Sequence, residues 1–159
     1  MISIVKNILV VEDDTDIHNI IKEILQKENY KIFDAYSGTE ALMILEKENI
    51  NLILLDLMLP GLSGEEIIKR EKNIPIIVIS AKTSTEDKVN VLLEGANDYI
   101  TKPFKAEELL ARVKVQLRIA VNENKQNQLK FKDMLLEQDG KTLYIFSIRT
   151  LNCNGVSVN

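Results

Sequence analysis

Short, wholly apolar runs alternate along residues 1–120 with stretches whose apolar residues recur every three or four positions. Ile8–Val11 is the first such run, and Ile17, Ile20, Ile21, Ile24 and Leu25 then follow the i, i+3, i+4, i+7 spacing of an amphipathic helix. Tyr30–Tyr36 reads as a second strand, and Gly38–Glu48 as a helix with Ala41, Leu42 and Leu45 facing inward. Leu52–Leu55 is a third strand, Ser63–Lys72 a short helix, and Ile76–Ile79 a fourth strand begun by Pro75. Glu86–Glu94 is a helix stopped at Gly95, and Asn97–Thr101 and Ala106–Ala120 complete a fifth strand–helix pair. Strands apolar at every position imply a sheet buried on both faces, which is the habit of parallel sheets in α/β folds. The pattern therefore predicts a doubly wound, five-stranded parallel sheet with helices on both faces. The short flavodoxin-like order 2-1-3-4-5 suits five strands joined by right-handed crossovers.

The pattern changes after residue 120. Val121–Gln128 loses the apolar period and gains Asn and Gln, which reads as a linker. Leu129, Phe131, Leu143 and Ile145 then alternate with polar residues around Asp139–Gly140, as in an antiparallel hairpin. The expected organisation is a domain over 1–120, a linker over 121–128 and a fragment with a short β extension over 129–159.

Charge narrows the functional classes. The formal net charge is −4, with 15 basic and 20 acidic residues in 1–120 and five and four beyond. Neither part has the positive excess that drives nonspecific nucleic-acid binding. The lone Cys153 has no partner for an internal disulfide and fits a reducing cytoplasm. No apolar run is long enough to cross a bilayer, and the apolar start reads as a buried strand, so a cytoplasmic protein without a membrane partner is expected.

Ligands of open α/β sheets bind at the carboxyl ends of the strands. The first strand ends in Glu12, Asp13 and Asp14, the third in Asp56, the fourth in Ser80 and the fifth in Lys102–Pro103. Clustered carboxylates repel one another unless a cation intervenes. Mg²⁺ takes oxygen ligands and keeps several waters. A carboxylate beside such an ion can attack phosphorus, while the ion and an ammonium neutralise the phosphoryl oxygens.

ILVVEDD, LLDLMLPGLSG, VISA and DYITKPF, in this order and spacing over about residues 6–120, resemble the response-regulator receiver family of two-component systems. The resemblance implies Asp56 as phosphoacceptor. It implies a Mg²⁺ site, with Mn²⁺ able to substitute, made by Asp13, Asp56, the Met58 backbone carbonyl and Glu12 acting through water. It also implies Lys102 as the phosphoryl-pairing lysine, with a cis Lys102–Pro103 bond, and Ser80 and Tyr99 as the switch hydroxyl and the aromatic that turns with it. The donor would be a sensor histidine kinase. Such a domain is a switch and catalyses no more than its own phosphorylation and dephosphorylation. Met58 and Lys82 flank the site, where family members tune phosphoryl lifetime.

The chain further resembles the winged-helix class of these regulators. In that class the surface of helix 4, strand 5 and helix 5 forms a homodimer on phosphorylation. Lys88 with Glu108 and Asp98 with Arg112 match its ion pairs, and Val89, Leu92 and Leu110 its apolar patch. Asn97 replaces a common acid opposite Lys114. LKFKDMLLEQDGKTLYI resembles the first strands of that class's DNA-binding domain, without the recognition helix that would follow. On this reading the DNA-binding domain is truncated and sequence-specific DNA binding is not expected from this chain alone. The stretch from Asp56 to Pro75 is also about one helical turn shorter than is usual in the family.

Plainer readings stand beside these. Asp14, before Thr15, reads as a helix cap in place of a metal ligand. His18, beside Ile17, reads as a surface histidine. Gly61 and Gly64 read as turn glycines. An aspartyl phosphatase would place a second Asp where Met58 stands, an FMN module would not put acids after the first strand, and no P-loop motif is present. A receiver-like interaction domain that titrates full-length partners remains the alternative.

Overall fold

The computed structural model describes residues 4–135. The expected strands and helices alternate as β1 (Asn7–Val11), α1 (Thr15–Gln26), β2 (Lys31–Ala35), α2 (Gly38–Lys47), β3 (Leu52–Leu55), α3 (Gly64–Arg70), β4 (Ile76–Ser80), α4 (Thr85–Glu94), β5 (Asp98–Thr101) and α5 (Ala106–Leu135). All paired strands are parallel, in the order β2-β1-β3-β4-β5.

Alternation along each strand divides the apolar residues between two cores. Leu9, Val11, Ile53, Leu55, Ile76 and Val78 face one side, where Ala41 of α2, Ile67 and Ile68 of α3 and Val91 of α4 cover them. Ile8, Val10, Leu52, Leu54, Ile77 and Ile79 face the other, under Ile21 and Leu25 of α1 and Leu109, Val113 and Leu117 of α5. The central strands β1, β3 and β4 are buried on both faces, which is why they are apolar at consecutive positions. Each fully buried Ile or Leu contributes roughly 1.5–3 kcal/mol.

Side chains mark the helix starts. Asp14 caps α1 by accepting from the amides of Asp16 and Ile17, the role expected for it. Ser37, Ser63 and Ser84 cap α2, α3 and α4, and Ser63 forms a capping box with Glu66. Gly95 ends α4 at φ 132°, a conformation that favours glycine. The seven-residue α3 is the shortest helix among the described residues.

Two expectations need correction. Residues 129–135 are not strand: together with the stretch 121–128 they continue α5 as helix. The segment contains neither Gly nor Pro, and Glu, Lys and Gln favour helix, so losing the apolar period does not end it. Residues 136–159, with the remainder of the expected hairpin and Cys153, lie outside the described residues. The buried stripe of α1 runs through His18, Ile21 and Leu25, leaving Ile20 52% exposed. His18 is thus wholly buried and not a surface histidine. The unit holding the sheet ends at Leu117, and the next unit, from Arg118, contributes the continuation of α5 among the described residues. Among the described residues no helix is long and apolar enough to cross a membrane.

Candidate functional site

Sheet register builds the acidic rim. Val11 of β1 pairs with Leu55 of β3, so the next residues, Glu12 and Asp56, leave adjacent strands side by side. The Asp56 amide donates to the Val11 carbonyl at 2.9 Å, which holds that junction. Ser80 of β4 pairs with Thr101 of β5, and the Lys102 amide donates to the Ser80 carbonyl at 2.8 Å. Lys102 thus starts from the same rim and points back across the sheet.

Its Nζ donates to Glu12 Oε2 at 2.7 Å and to Asp56 Oδ2 at 3.0 Å. Glu12 and Asp56 are buried, at 2% and 7% exposure, whereas Asp13 is exposed. One carboxylate oxygen from each of Glu12, Asp13 and Asp56 lies within 4.8 Å of the other two. The remaining oxygens of the buried pair are held by backbone: Glu12 Oε1 accepts from the Asp14 amide at 3.0 Å and Asp56 Oδ1 from the Met58 amide at 3.1 Å. Burial raises the Glu12 pKa, with the nearby Asp56 charge adding to it, against the lowering effect of Lys102 and the Asp14 amide. Burial works against the Lys102 charge too, but its bonds to Glu12 and Asp56 outweigh this and raise its pKa.

The other candidates lie nearby without entering the carboxylate cluster. Met58 is exposed just beyond β3. Ser80 is fully buried, and its Oγ accepts from the Lys82 amide at 3.2 Å. Tyr99 points into the core and donates from its hydroxyl to the Lys82 carbonyl at 2.8 Å. Ser80 and Tyr99 therefore grip opposite ends of one residue. The Lys82 ammonium lies 4.0 Å from Glu65 of α3. The Lys102–Pro103 bond is cis.

Lys88, Val89 and Leu92 lie on α4, Asp98 on β5, and Glu108, Leu110 and Arg112 on α5. Val89 and Leu92 are 46% and 42% exposed. Arg112 donates from Nη1 to both Asp98 oxygens at 3.0 Å and from Nε to Glu108 at 3.2 Å, all within one chain. The Asp98 bond, chiefly, raises the Arg112 pKa. Lys88 Nζ stands 5.7 Å from the centre of the Tyr99 ring.

Two residues beside the site have roles other than those the sequence suggests. Gly64 begins α3 against the site-bearing loop: a Cβ there would meet the Asp56 carbonyl oxygen at 2.7 Å and Leu57 Cα at 2.8 Å. It is thus a close-approach glycine and not a turn glycine, whereas Gly61, at φ 75°, is a turn glycine as expected. His18 bridges the Glu12 carbonyl and Asp34. Its spacing from Ile21 and Leu25, i, i+3, i+7, was the available signal for its burial.

Residues 8–114 match the response regulator receiver domain family, and the chain belongs to that family, the signalling switch domain of two-component systems. The chain is similar to the uncharacterized transcriptional regulatory protein YrkP of Bacillus subtilis, at 46% identity over 114 residues, which is 70% of this chain and 49% of that protein. It therefore spans about half the length of this curated relative. Among solved structures, it resembles a CheY-like receiver domain protein from Methanospirillum hungatei, with a TM-score of 0.71 and 34% identity over 76% of this chain and 99% of that one. It also resembles DrrB of Thermotoga maritima, an OmpR/PhoB homolog, with a TM-score of 0.66 and 34% identity over 72% of this chain and 54% of that one.

Proposed function

We propose that the chain accepts a phosphoryl group on Asp56 from the phosphohistidine of a sensor histidine kinase, with Mg²⁺ or Mn²⁺ at the acidic rim. The supporting observation is the shared ammonium of Lys102, in contact with both Glu12 and Asp56, while Asp13 stands in the same oxygen cluster. Three hard carboxylates converging with one cation between two of them fit a small divalent ion. Asp13 and Asp56 would hold it directly, Glu12 through water, and the Met58 carbonyl would add a backbone ligand. When bound, the ion supplies positive charge that offsets the phosphoryl oxygens.

The chain's own residues account for the remaining chemistry. An Asp56 carboxylate oxygen forms the new bond to phosphorus, the bond from phosphorus to the donor imidazole breaks, and its electron pair returns to the ring nitrogen. Lys102 exchanges its contact with Asp56 for one with the transferred group. The Ser80 hydroxyl donates to a phosphoryl oxygen. As the Ser80 hydroxyl moves toward the phosphoryl group its bond from the Lys82 amide is displaced, and the Lys82 carbonyl carries this change to Tyr99. A local change in charge thereby biases the α4–β5–α5 surface between two arrangements.

That surface would form a homodimer through Lys88, Val89, Leu92, Asp98, Glu108, Leu110 and Arg112. Arg112 already has acidic partners in its own chain, so pairing across a dimer exchanges contacts and adds little energy. The apolar Val89 and Leu92 would carry more of the association. Transcriptional control is the output suggested by the name of the Bacillus subtilis relative.

The test is the intact mass after incubation with Mg²⁺ and acetyl phosphate. The wild type is expected to gain one phosphoryl group, and neither Asp56→Asn nor an EDTA-treated sample should. A folded, Mg²⁺-binding wild type that gains nothing would overturn this reading.

A further inference from the structure

Every backbone and side-chain polar atom of Glu12 has a partner. Its amide donates to the Ala35 carbonyl at 3.1 Å, Oε1 accepts from Asp14, and Oε2 accepts from Lys102. Its carbonyl oxygen faces His18 Nδ1 at 3.1 Å. A carbonyl oxygen can only accept, so the proton of that bond belongs to Nδ1.

His18 reaches Glu12 from a fixed place. It is fully buried on α1, stacked on Tyr36 with ring centres 4.4 Å apart, and its Nε2 lies 2.8 Å from Asp34 Oδ1 on β2. The other Asp34 oxygen accepts from Lys22 at 2.7 Å. One ring thus joins α1, the edge strand β2 and the acidic turn that follows β1.

The geometry points to His18 as a positioning residue for the metal-binding rim, acting through the Glu12 peptide; this rests on the receiver chemistry proposed above. The Glu12 carbonyl and the Asp13 amide belong to one planar peptide unit. If the carbonyl turns, the Asp13 backbone turns with it and carries the exposed Asp13 carboxylate along. A buried carbonyl that loses its donor is driven to turn, because an unpaired buried acceptor is costly. His18 therefore keeps Asp13 in register with Glu12 and Asp56 without touching any of the three carboxylates.

The two ring nitrogens allow a test that separates positioning from ordinary stability. The amide nitrogen of Asn stands about where Nδ1 does, and that of Gln about where Nε2 does. His18→Asn retains the donor to Glu12 and loses the one to Asp34; His18→Gln does the reverse. Mg²⁺ alone is titrated into the full chain, followed by the backbone amide NMR shifts of Asp13 and Asp56, and thermal unfolding is recorded without metal. His18→Gln is expected to bind Mg²⁺ roughly 10-fold more weakly, as when an outer-shell partner of a metal site is lost. His18→Asn should bind within about twofold of wild type, whichever variant is the less stable. If the glutamine variant does not fold, His18→Ala, which also lacks the donor, must show the same weakening. Wild-type affinity in both donor-lacking variants, or losses that track thermal stability in all of them, would overturn the inference alone. A wild type that binds no Mg²⁺ would overturn the receiver reading and the inference with it.

Discussion

Lys102 Nζ lies closer to Glu12 than to Asp56, at 2.7 Å against 3.0 Å, so one ammonium is shared by two buried carboxylates from adjacent strands. Removing it leaves those carboxylates facing each other. Lys102→Gln should lower metal-free stability by about 1–3 kcal/mol, less than for a fully enclosed pair because Lys102 is partly exposed. Added Mg²⁺ should stabilise the variant more than the wild type. Urea unfolding of both proteins with and without Mg²⁺ checks this, and equal gains from Mg²⁺ would refute it.

Gly64 gives a second expectation, on backbone geometry. Alanine there would press its methyl group on the Asp56 carbonyl and Leu57 Cα, both backbone atoms with little freedom to yield. Gly64→Ala should cost about 1–3 kcal/mol, as overpacking does. It should also slow phosphorylation by acetyl phosphate, because the strain falls on the acceptor residue itself. Stability and rate are read from urea unfolding and a mass time course, and a wild-type rate would show that the turn relaxes elsewhere.

Acid should weaken the tie between α1 and β2. Burial works against the Asp34 charge, but hydrogen bonds from Lys22 and His18 outweigh it and lower the Asp34 pKa. A group whose pKa is depressed on folding contributes stability above its unfolded value of about 3.9, and loses it as pH falls through the folded value. The stability gap between wild type and Asp34→Asn should therefore be level at neutral pH and close below about pH 4. Urea midpoints for both proteins from pH 6 to pH 3 measure it. A gap that stays constant over that range would remove Asp34 from the acid response.

Arg112 separates stability from association. Its contacts with Asp98 and Glu108 are partly exposed, so Arg112→Ala should cost under about 1 kcal/mol in the monomer. If the α4–β5–α5 surface pairs on phosphorylation, the same variant should weaken self-association of the phosphorylated chain only slightly, most visibly at low salt. Sedimentation at two salt concentrations tests this. Unchanged association would assign the pairing to Val89 and Leu92 or to another surface.

Much of this molecule was legible in its sequence because the signals are local. Consecutive apolar residues in β1, β3 and β4 announce strands buried on both faces, and the residue closing each strand announces the rim. The errors came where local pattern and tertiary environment part company. Ile17, Ile21, Ile24 and Leu25 of α1 do face the core as their spacing suggested, but Ile20 does not, and His18 joins them inside because Asp34 and the Glu12 carbonyl provide polar partners there. The stretch 129–135 suggested a strand, yet helix persists through it and through 121–128, because neither Gly nor Pro interrupts the segment and Glu, Lys and Gln favour helix.

The sequence by itself determined the order of strands and helices, the two-sided burial of the central strands and the residue types at each strand end. All of these follow from side-chain polarity and spacing along the chain. The tertiary structure decided which of those residues meet. Lys102 and Glu12 are 90 residues apart and are joined by the parallel register that brings β1, β3, β4 and β5 to one rim. It also decided that His18 is buried and that Gly64 lies against Asp56. Contacts between distant segments depend on the direction and packing of each side chain in three dimensions, which periodicity along the chain does not encode.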